Sequence, residues 1–292
     1  MDPIIIGSIW GGYSLSNALG RETFVSELWE FINTTSQCNK IESGSTDEFI
    51  SNYINPDDFQ IIVKIINAES NLSVQVHPNK SELLYILELQ RNAKIGIGLK
   101  VNSSQDLDRV IDESQLVENL YYYPLQNGTM VYIPAGQVHV IPGGILAVEI
   151  QNSFLETYRL YDYDRELDGE TRKLNLKEAK EVISYNPSDF LLVNTFESLQ
   201  SKFKLLFSCA FFDVYRISIV NERLSVPKKG VACSIVRIGG NGFINSIDIK
   251  RFQSVFALSE LEVLQISSDT SLELIVTTKH LNISERLYAL DD

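Results

Sequence analysis

The feature that most constrains the fold is a series of short runs rich in β-branched and aromatic residues, separated by turn residues. The runs are QIIVKII, NLSVQVH, ELLYILEL, TMVYIP, ILAVEIQ, FFDVYRISIV, CSIVRI and LELIVTT. Residues of these types favour strands, and many short strands with little helix are typical of antiparallel sandwiches and barrels. The sequence therefore predicts a mainly β protein.

Helical periodicity is confined to a few places, of which two are clear. Within residues 103–113, an S-x-x-D start precedes a set of apolar residues that share one helical face. In NLKEAKEVI, which begins at Asn175, Leu176, Ala179 and Val182 fall on one side. We expect two short helices among the strands.

The most probable break in the chain lies within residues 184–203, where SYNPSDF carries turn residues and a fresh run of strands begins at Phe203. A chain of 292 residues is long enough for two cores. We therefore predict a larger N-terminal domain, residues 1–190, and a smaller C-terminal β domain, residues 191–292.

The composition excludes several classes of protein. A net charge of −13 argues against a nucleic-acid or anionic-membrane surface, since both require a basic face. The chain has no signal-peptide pattern and no apolar stretch near the roughly 18 residues that span a bilayer, so we expect a cytoplasmic protein, a monomer or weak homodimer. The three cysteines show no CxxC spacing, which favours buried free thiols.

Ligand-type residues are concentrated in SVQVHPNKSELLYIL, residues 73–87, in a chain with only three histidines. Alternation on a strand places Gln75 and His77 on one face, and the turn after His77 allows Glu82 to face the same point from the next strand. His139 ends a second segment, GTMVYIPAGQVH. Such a mixed nitrogen and oxygen set suits zinc or another borderline divalent metal.

These two segments read as Q-x-H-x4-E and G-x5-P-x-G-x2-H, patterns that resemble the metal-binding motifs of the cupin superfamily. The resemblance implies a cupin-type jelly-roll barrel with a few helices, followed by a second, smaller cupin-like C-terminal unit. Gln75 replaces the usual first histidine, so it either ligates a metal or only hydrogen-bonds to a ligand, and Gly143 replaces a frequent asparagine. A lone histidine in a strand is more often structural, and we expect this of His280.

A longer segment, GGILAVEIQNSFLETYRLYDYDR at residues 143–165, resembles the signature of type I phosphomannose isomerases. The resemblance extends over the first two thirds of the chain, through SIWGG, SELWE and SVQVHP. It implies a metal-dependent enzyme that interconverts mannose 6-phosphate and fructose 6-phosphate, with one zinc ion per chain. The implied ligands are Gln75, His77, Glu82 and His139.

The same resemblance implies a substrate-side arginine at Arg159 and further residues around the pocket: Lys80, Lys64, Glu27 and Glu149. Within YRLYDYDR we expect the tyrosines to pack and Asp164 and Arg165 to be candidates for a structural ion pair. The chain departs from bacterial members of the family where HPNKSE joins the histidine directly to the glutamate, without a longer insert.

Aldose–ketose isomerisation moves a proton between C1 and C2 through an enediolate, and a guanidinium can stabilise the charge that develops on oxygen. We expect Lys80, with a pKa lowered by burial, or Glu149 to carry the proton. Two alternatives remain open at this point. One is an iron-dependent cupin oxygenase, and the other is a sugar-phosphate-binding homologue without catalysis.

Overall fold

The computed structural model describes residues 1–41, 48–90, 92–167, 169–186, 190–194, 202–282 and 286–287. The strands are β1 Ile4–Ile6, β2 Glu27–Phe31, β3 Lys40–Ile41, β4 Glu48–Phe49, β5 Ile61–Ala68, β6 Val74–Val76, β7 Glu82–Leu89, β8 Lys94–Leu99, β9 Leu120–Pro124, β10 Thr129–Ile133, β11 His139–Val140, β12 Ile145–Asn152, β13 Tyr158–Tyr161, β14 Glu166–Leu167, β15 Glu170–Thr171, β16 Leu191–Asn194, β17 Phe203–Ser208, β18 Phe212–Pro227, β19 Cys233–Gly240, β20 Phe243–Ile244, β21 Ile247–Asp248, β22 Ser254–Ala257 and β23 Val263–Lys279.

The helices are α1 Tyr13–Ala18, α2 Ser104–Asp112 and α3 Leu176–Val182, and two 3₁₀ turns span Ile50–Asn52 and Pro56–Asp58. The helices α2 and α3 confirm the two segments with helical periodicity. At the start of α2, the Ser103 Oγ accepts a hydrogen bond from the backbone N of Asp106 at 3.1 Å, which satisfies one of the free N–H groups of the first turn. Among the described residues, no helix is long and apolar enough to cross a membrane.

The chain divides into two compact units. The first unit comprises Ile5–Leu28 and Ile65–Asn194, and the second comprises Met1–Ile4, Trp29–Lys64 and Thr195–Asp292. The structure thus groups residues 29–64 with the C-terminal segment. A division of the chain at a single point would instead leave these residues in the N-terminal part. The predicted domain boundary between residues 190 and 191 stays a prediction.

The first unit contains two antiparallel sheets. One has the strand order β13-β6-β11-β8-β9, and the other includes β12-β7-β10-β16 in that order. Alternation along β7 sends Leu84 and Ile86 into an apolar cluster that also contains Ile97 of β8 and Ala147 of β12. This cluster fills the inside of the unit.

A second apolar cluster covers the outer face of the five-stranded sheet. Val138 and Val140 belong to it, together with Leu107 of α2 and Ala179 of α3. The two helices therefore pack on the outside of this sheet. Side chains that point to the inner face of the sheet are left to build the site described below.

The second unit is built on a sheet with the order β17-β18-β23-β19-β22, to which the short strands β20 and β21 add. Its core contains Tyr215, Ile217, Ile235 and Leu274. The three cysteines are free, as predicted, but only Cys233 is buried, whereas Cys38 and Cys209 are partly exposed.

Candidate metal centre and active site

Three predicted site residues lie side by side in one row across the five-stranded sheet. Gln75 on β6 pairs with His139 on β11 and, on its other side, with Arg159 on β13. Directly opposed residues of neighbouring strands point to the same face of a sheet. The sheet therefore places Arg159, Gln75 and His139 on the same face, although they are up to 84 positions apart in the chain.

Glu82 approaches from the other sheet. It is the first residue of β7, and it lies opposite Gln151 of β12 in the strand register. Because Glu82 shares its face with Leu84 and Ile86 of the inner apolar cluster, its carboxylate points inward as well. The expectation that the turn after His77 redirects Glu82 toward the histidines is confirmed.

The ligand-type atoms of His77, Glu82 and His139 all lie within 4.8 Å of one another. The His139 Nε2 atom is 3.1 Å from the Glu82 Oε1 atom, and the His77 Nε2 atom is 3.6 Å from the Glu82 Oε2 atom. The three side chains are at most 2% exposed. Two imidazoles and one carboxylate thus converge inside the first unit.

The hydrogen bonds of both imidazoles identify which nitrogen is free. The His77 Nδ1 lies 2.9 Å from the Glu156 carbonyl oxygen, and the His139 Nδ1 lies 3.0 Å from the Gln137 carbonyl oxygen. Since a carbonyl can only accept, each Nδ1 donates, and each neutral ring keeps a lone pair on Nε2. Those lone pairs face the carboxylate of Glu82, so acceptors meet acceptors. A bound cation would resolve this repulsion, and the donor set fits zinc or a similar divalent metal.

Gln75 lies beside both imidazoles. Its Nε2 atom is 3.4 Å from the His77 Nε2 and 3.2 Å from the His139 Nε2, while its Oε1 accepts from the Ser73 hydroxyl at 3.0 Å. Turning the amide by 180° would bring Oε1 to the imidazoles and leave Nε2 as a donor to Ser73. Gln75 can ligate a metal only in that turned orientation.

Local electrostatics keep His77 and Glu82 in the protonation states that a metal requires. Burial is the main effect that holds the pKa of His77 well below its usual value, and the charge of Lys80 acts in the same direction. Burial by itself raises the pKa of Glu82, but the charge of Lys80 and the two imidazoles outweigh it, and the pKa is well below normal. His77 is therefore neutral and Glu82 ionised near neutral pH.

Lys80 is buried between two carboxylates. Its Nζ lies 2.5 Å from the Glu82 Oε2 and 3.7 Å from the Glu149 Oε1. Burial is the largest effect and lowers the pKa of Lys80, but Glu149, Glu82 and Glu27 together outweigh it and raise the pKa. The expected lowered pKa of Lys80 is thus wrong, because two carboxylates stabilise the charged amine.

The segment Pro78–Ser81 that carries Lys80 is held from the neighbouring strand by Asn152, which is 3% exposed. The Asn152 Nδ2 donates to the Asn79 carbonyl oxygen at 2.9 Å, and its Oδ1 accepts from the Ser81 backbone N at 3.3 Å. The bonds bracket Lys80 on both sides. Sequence reasoning missed Asn152, the last residue of β12, whose signal is a third polar residue, after Glu149 and Gln151, at the end of that strand.

Gly136 holds the second motif against the first. Its backbone N donates to the His77 carbonyl oxygen at 2.8 Å, and its φ is +82°, in the left-handed region. A Cβ at this position would lie 2.9 Å from the Val182 carbonyl oxygen at the end of α3. The glycine of PAGQVH is therefore required both by its backbone angle and by the close approach of the helix.

Arg159 is partly buried, and its Nε is buried without a hydrogen-bond partner among the described residues. Burial and the charge of Arg172 lower its pKa, while Asp162 opposes them. Asp162 itself accepts from Arg165 at 2.6 Å and from the Arg172 Nε at 2.7 Å. The Asp162 carboxylate is thus bound to Arg165 and Arg172. The Arg159 guanidinium can therefore bind an anion or a developing negative charge.

The predicted Asp164–Arg165 pair is wrong. Arg165 pairs with Asp162 instead, and Asp164 accepts from the Tyr161 hydroxyl at 3.1 Å. The rings of Tyr161 and Tyr163 pack at 5.1 Å between centroids, as expected of packing residues. The network around Asp162 was not foreseen, because Arg172 lies ten positions away in the chain.

Lys64 is the last residue of the Trp29–Lys64 segment of the second unit. Its Nζ is 4.8 Å from the centroid of the Trp29 ring, and its side chain is buried. The first unit contains the other members of the predicted site, and among them the charge of Glu27 acts on Lys80. The substrate-binding roles of Lys64 and Glu27 stay predictions.

Comparisons with known proteins bear on this site. No family model matches the chain. It is 32% identical to the mannose-6-phosphate isomerase ManA of Bacillus subtilis over 210 residues, which are 62% of this chain and 66% of that protein, just under two thirds. It is 28% identical to the mannose-6-phosphate isomerase of Streptococcus mutans over 240 residues, 72% of this chain and 75% of that one.

Two solved structures resemble the fold over nearly the whole chain. The mannose 6-phosphate isomerase from Bacillus subtilis superimposes with a TM-score of 0.79 at 20% identity, covering 94% of this chain and 97% of that chain. A putative mannosephosphate isomerase from Archaeoglobus fulgidus gives a TM-score of 0.75 at 15% identity, covering 96% of each. The predicted mainly β, cupin-type fold is confirmed, and the chain is similar in sequence and in fold to mannose-6-phosphate isomerases.

Proposed function

We propose that the protein is a metal-dependent aldose–ketose isomerase that interconverts mannose 6-phosphate and fructose 6-phosphate. The observation that carries the proposal is the acceptor-only cluster of His77, Glu82 and His139, flanked by Lys80, Glu149 and Arg159. Buried acceptors that face one another are unfavourable, and a bound cation would relieve this. The charged and ionisable groups beside the cluster suit the transfer of a proton between two carbons of a sugar phosphate.

Zinc, one ion per chain, is the metal we propose. His77, Glu82 and His139 would hold it, and Gln75 would be the fourth ligand after its amide has turned. When bound, the ion would supply Lewis-acid polarisation of substrate oxygens. The absence of thiolate ligands and the presence of two imidazoles fit a catalytic rather than a structural zinc site.

Glu149 is the group we propose for carrying the carbon-bound proton. Its carboxylate would take the proton from C2 of mannose 6-phosphate and return it to C1, while a second proton passes from the C2 hydroxyl to the C1 oxygen, which yields fructose 6-phosphate. The raised pKa of Lys80 keeps its amine charged near neutral pH. The charged amine would bind the oxygens on which negative charge develops, rather than accept a proton from carbon.

Arg159 would stabilise the enediolate charge, since its guanidinium shares the row of Gln75 and His139. Lys64 and Glu27 are the further substrate-binding residues we propose. A cytoplasmic location, a monomer or weak homodimer, and the lack of nucleic-acid or membrane partners remain predictions from the sequence.

A coupled assay that follows fructose 6-phosphate formation from mannose 6-phosphate tests this function. We expect turnover that stops when a chelator has removed the metal, with loss verified by elemental analysis, and that returns with added zinc. Oxygen uptake is followed in parallel. Undiminished turnover by metal-free protein, or oxygen consumption without isomerisation, would contradict the proposal. Binding of mannose 6-phosphate without turnover would identify a homologue that has lost catalysis.

A further inference from the structure

Gln137 is a buried amide that the cluster does not use. Its side chain is 1% exposed, and neither Nε2 nor Oε1 has a hydrogen-bond partner among the described residues. Its backbone is paired: the carbonyl accepts from the His139 Nδ1, and the N donates to the Pro134 carbonyl oxygen at 3.2 Å. Burying a primary amide without partners is unfavourable, so a group of this kind points to a ligand that both donates and accepts.

Alternation along the chain shows where the Gln137 side chain points. Val138 and Val140 belong to the outer apolar cluster, beneath the helices, and Ile141 belongs to the inner one. His139, between the two valines, points inward to Glu82. Gln137 lies two positions before β11 begins, and because its neighbour Val138 turns to the outer cluster, the Gln137 side chain turns to the opposite, inner side.

The inner apolar cluster closes one side of the metal centre. Three residues of that cluster each lie two positions along the chain from a site residue. Ile141 comes two positions after His139, Leu84 two after Glu82, and Ala147 two before Glu149. Gln137 lies on the opposite, polar side, near His77, whose carbonyl accepts from the backbone of the adjacent Gly136. This side leaves room for a substrate bound at the centre to extend toward Gln137.

We propose that Gln137 binds hydroxyl groups of the open-chain sugar phosphate beyond the reacting carbons and helps to determine which sugars are accepted. This inference rests on the proposed isomerase function. Residues two positions apart on a strand are separated by about 6.5–7 Å, which is within the length of an open-chain hexose. A hydroxyl both donates and accepts, so adjacent hydroxyls at C3 and C4 complement the Oε1 and Nε2 of the amide.

Gln151 offers a second buried amide, but it is held differently. Its Nε2 donates to the Asn152 carbonyl at 3.0 Å and to the Phe154 carbonyl at 2.6 Å, and only its Oε1 lacks a partner among the described residues. An apolar residue at position 151 would leave two carbonyls unpaired. Substituting Gln137, unlike substituting Gln151, therefore tests substrate binding without breaking a side-chain hydrogen bond among the described residues.

The test compares Gln137→Leu and Gln137→Met with the wild type, and Gln90→Leu is the control. Gln90 is exposed on the same unit, so its variant makes the same chemical change away from the site. We expect both Gln137 variants to raise KM for mannose 6-phosphate tenfold or more, with kcat within about threefold and metal content unchanged. Calorimetric titration should show the same loss of affinity, and the control should match the wild type.

Two further readouts distinguish a binding role from a structural one. Removing an unpartnered buried amide should leave the melting temperature of the free protein unchanged or higher, whereas removing a structural residue would lower it. The substrates 3-deoxy- and 4-deoxymannose 6-phosphate should bind the wild type more weakly than mannose 6-phosphate does. The affinities of the Gln137 variants for the deoxy sugars and for mannose 6-phosphate should differ less than those of the wild type.

An isomerase whose Gln137 variants keep the wild-type KM, or lose stability together with activity, would overturn this inference and leave the proposed function intact. A wild-type protein that neither binds nor isomerises mannose 6-phosphate would overturn both. If the leucine variant fails to fold, the methionine variant, which is closer in length to glutamine, decides by the same criteria.

Discussion

At the scale of single residues, the three histidines of this chain have two different environments. His77 and His139 turn lone pairs toward a carboxylate, with each Nδ1 bound to a carbonyl. The Nδ1 of His280, in the second unit, instead lies 3.2 Å from the Asp213 carboxylate and 3.5 Å from the Ser208 hydroxyl. The first arrangement is typical of metal ligands and the second of a structural ion pair.

This contrast predicts the metal content of histidine variants. Protein purified without added metal should contain close to one ion per chain, and His77→Ala and His139→Ala should lose most of it, as elemental analysis would show. Both variants should also melt at a lower temperature, since metal binding stabilises the folded state. His280→Ala is the control and should retain the metal. Full metal content in the His77 and His139 variants would show that the site lies elsewhere.

A second prediction concerns the Arg159 guanidinium. Because it lies in the row of Gln75 and its Nε has no partner among the described residues, it is free to stabilise charge in the transition state. Arg159→Ala should lower kcat at least about 100-fold, in keeping with the loss of one preorganised donor. Arg159→Lys should restore only part, since lysine lacks the planar fork.

Steady-state kinetics on mannose 6-phosphate, with metal content measured in parallel, would check this. A KM that rises tenfold while kcat stays at the wild-type level would assign Arg159 to phosphate binding instead.

At the scale of elements, the connection between β6 and β7 determines where Lys80 lies. It is anchored from the end of β12 by the two side-chain bonds of Asn152. The Ser81 hydroxyl adds a bond from the Ala135 backbone N at 3.1 Å, next to the second motif. A link of four residues between His77 and Glu82 is thus held by two other segments of the first unit, and a longer insert is not needed to orient Lys80.

Asn152→Ala should therefore weaken both stability and activity. Losing the side-chain amide leaves a buried carbonyl and a buried N–H unpaired, which should lower the free energy of unfolding by about 1–3 kcal/mol. Because Lys80 would be less well positioned, kcat should fall more than KM rises, while metal content stays near one ion per chain.

Urea unfolding and kinetics of the same preparation measure both effects. Asn119→Ala, which removes a partly exposed amide bound to the Gln115 carbonyl, is the control and should change neither quantity appreciably. An Asn152→Ala protein with lower stability and unchanged kcat would mean that the turn does not position Lys80.

At the scale of the whole molecule, the two units differ in their chemistry. Among the described residues, the group of His, Cys, Asp and Glu side chains that could hold a metal lies in the first unit. The second unit has instead a buried carboxyl at Glu30, which is 1% exposed. Burial is the main cause that raises the pKa of Glu30 to about 8.

Glu30 predicts how stability depends on pH. Its carboxyl has a pKa of 4.5 in the absence of the fold and about 8 within it, so the folded state binds the extra proton between these values. Stability from this group is therefore greatest at low pH and falls as pH rises from about 4.5 to about 8, by a few kcal/mol in order of magnitude.

Thermal unfolding measured between pH 6 and pH 9 should show this fall in the wild type and a smaller one in Glu30→Gln, whose amide stays neutral. The glutamine variant should equal or exceed the wild type at pH 9. Parallel curves for the two proteins would mean that Glu30 is ionised in the folded state.

Much of the site follows from local sequence. Strand alternation at Gln75 and His77, the turn before Glu82 and the pattern ending at His139 place three ligand-type residues together, and the structure brings those three within one cluster. The environment of Lys80 and the partner of Arg165 could not be predicted in this way. The environment of Lys80 depends on Glu149 of another strand as well as on Glu82. Arg165 pairs with Asp162, three positions earlier, in a network that Arg172 completes.

By itself, the sequence determined which side chains share a face of each strand, where α2 and α3 begin, and which family the chain resembles, because strand and helix periods act over a few neighbouring residues. Only the tertiary structure decided that Arg159 lies beside Gln75, that carboxylates raise the pKa of Lys80, and that the side-chain amide of Gln137 is buried without a partner among the described residues. Strand register, burial and charge act through space, between residues that the chain order keeps apart.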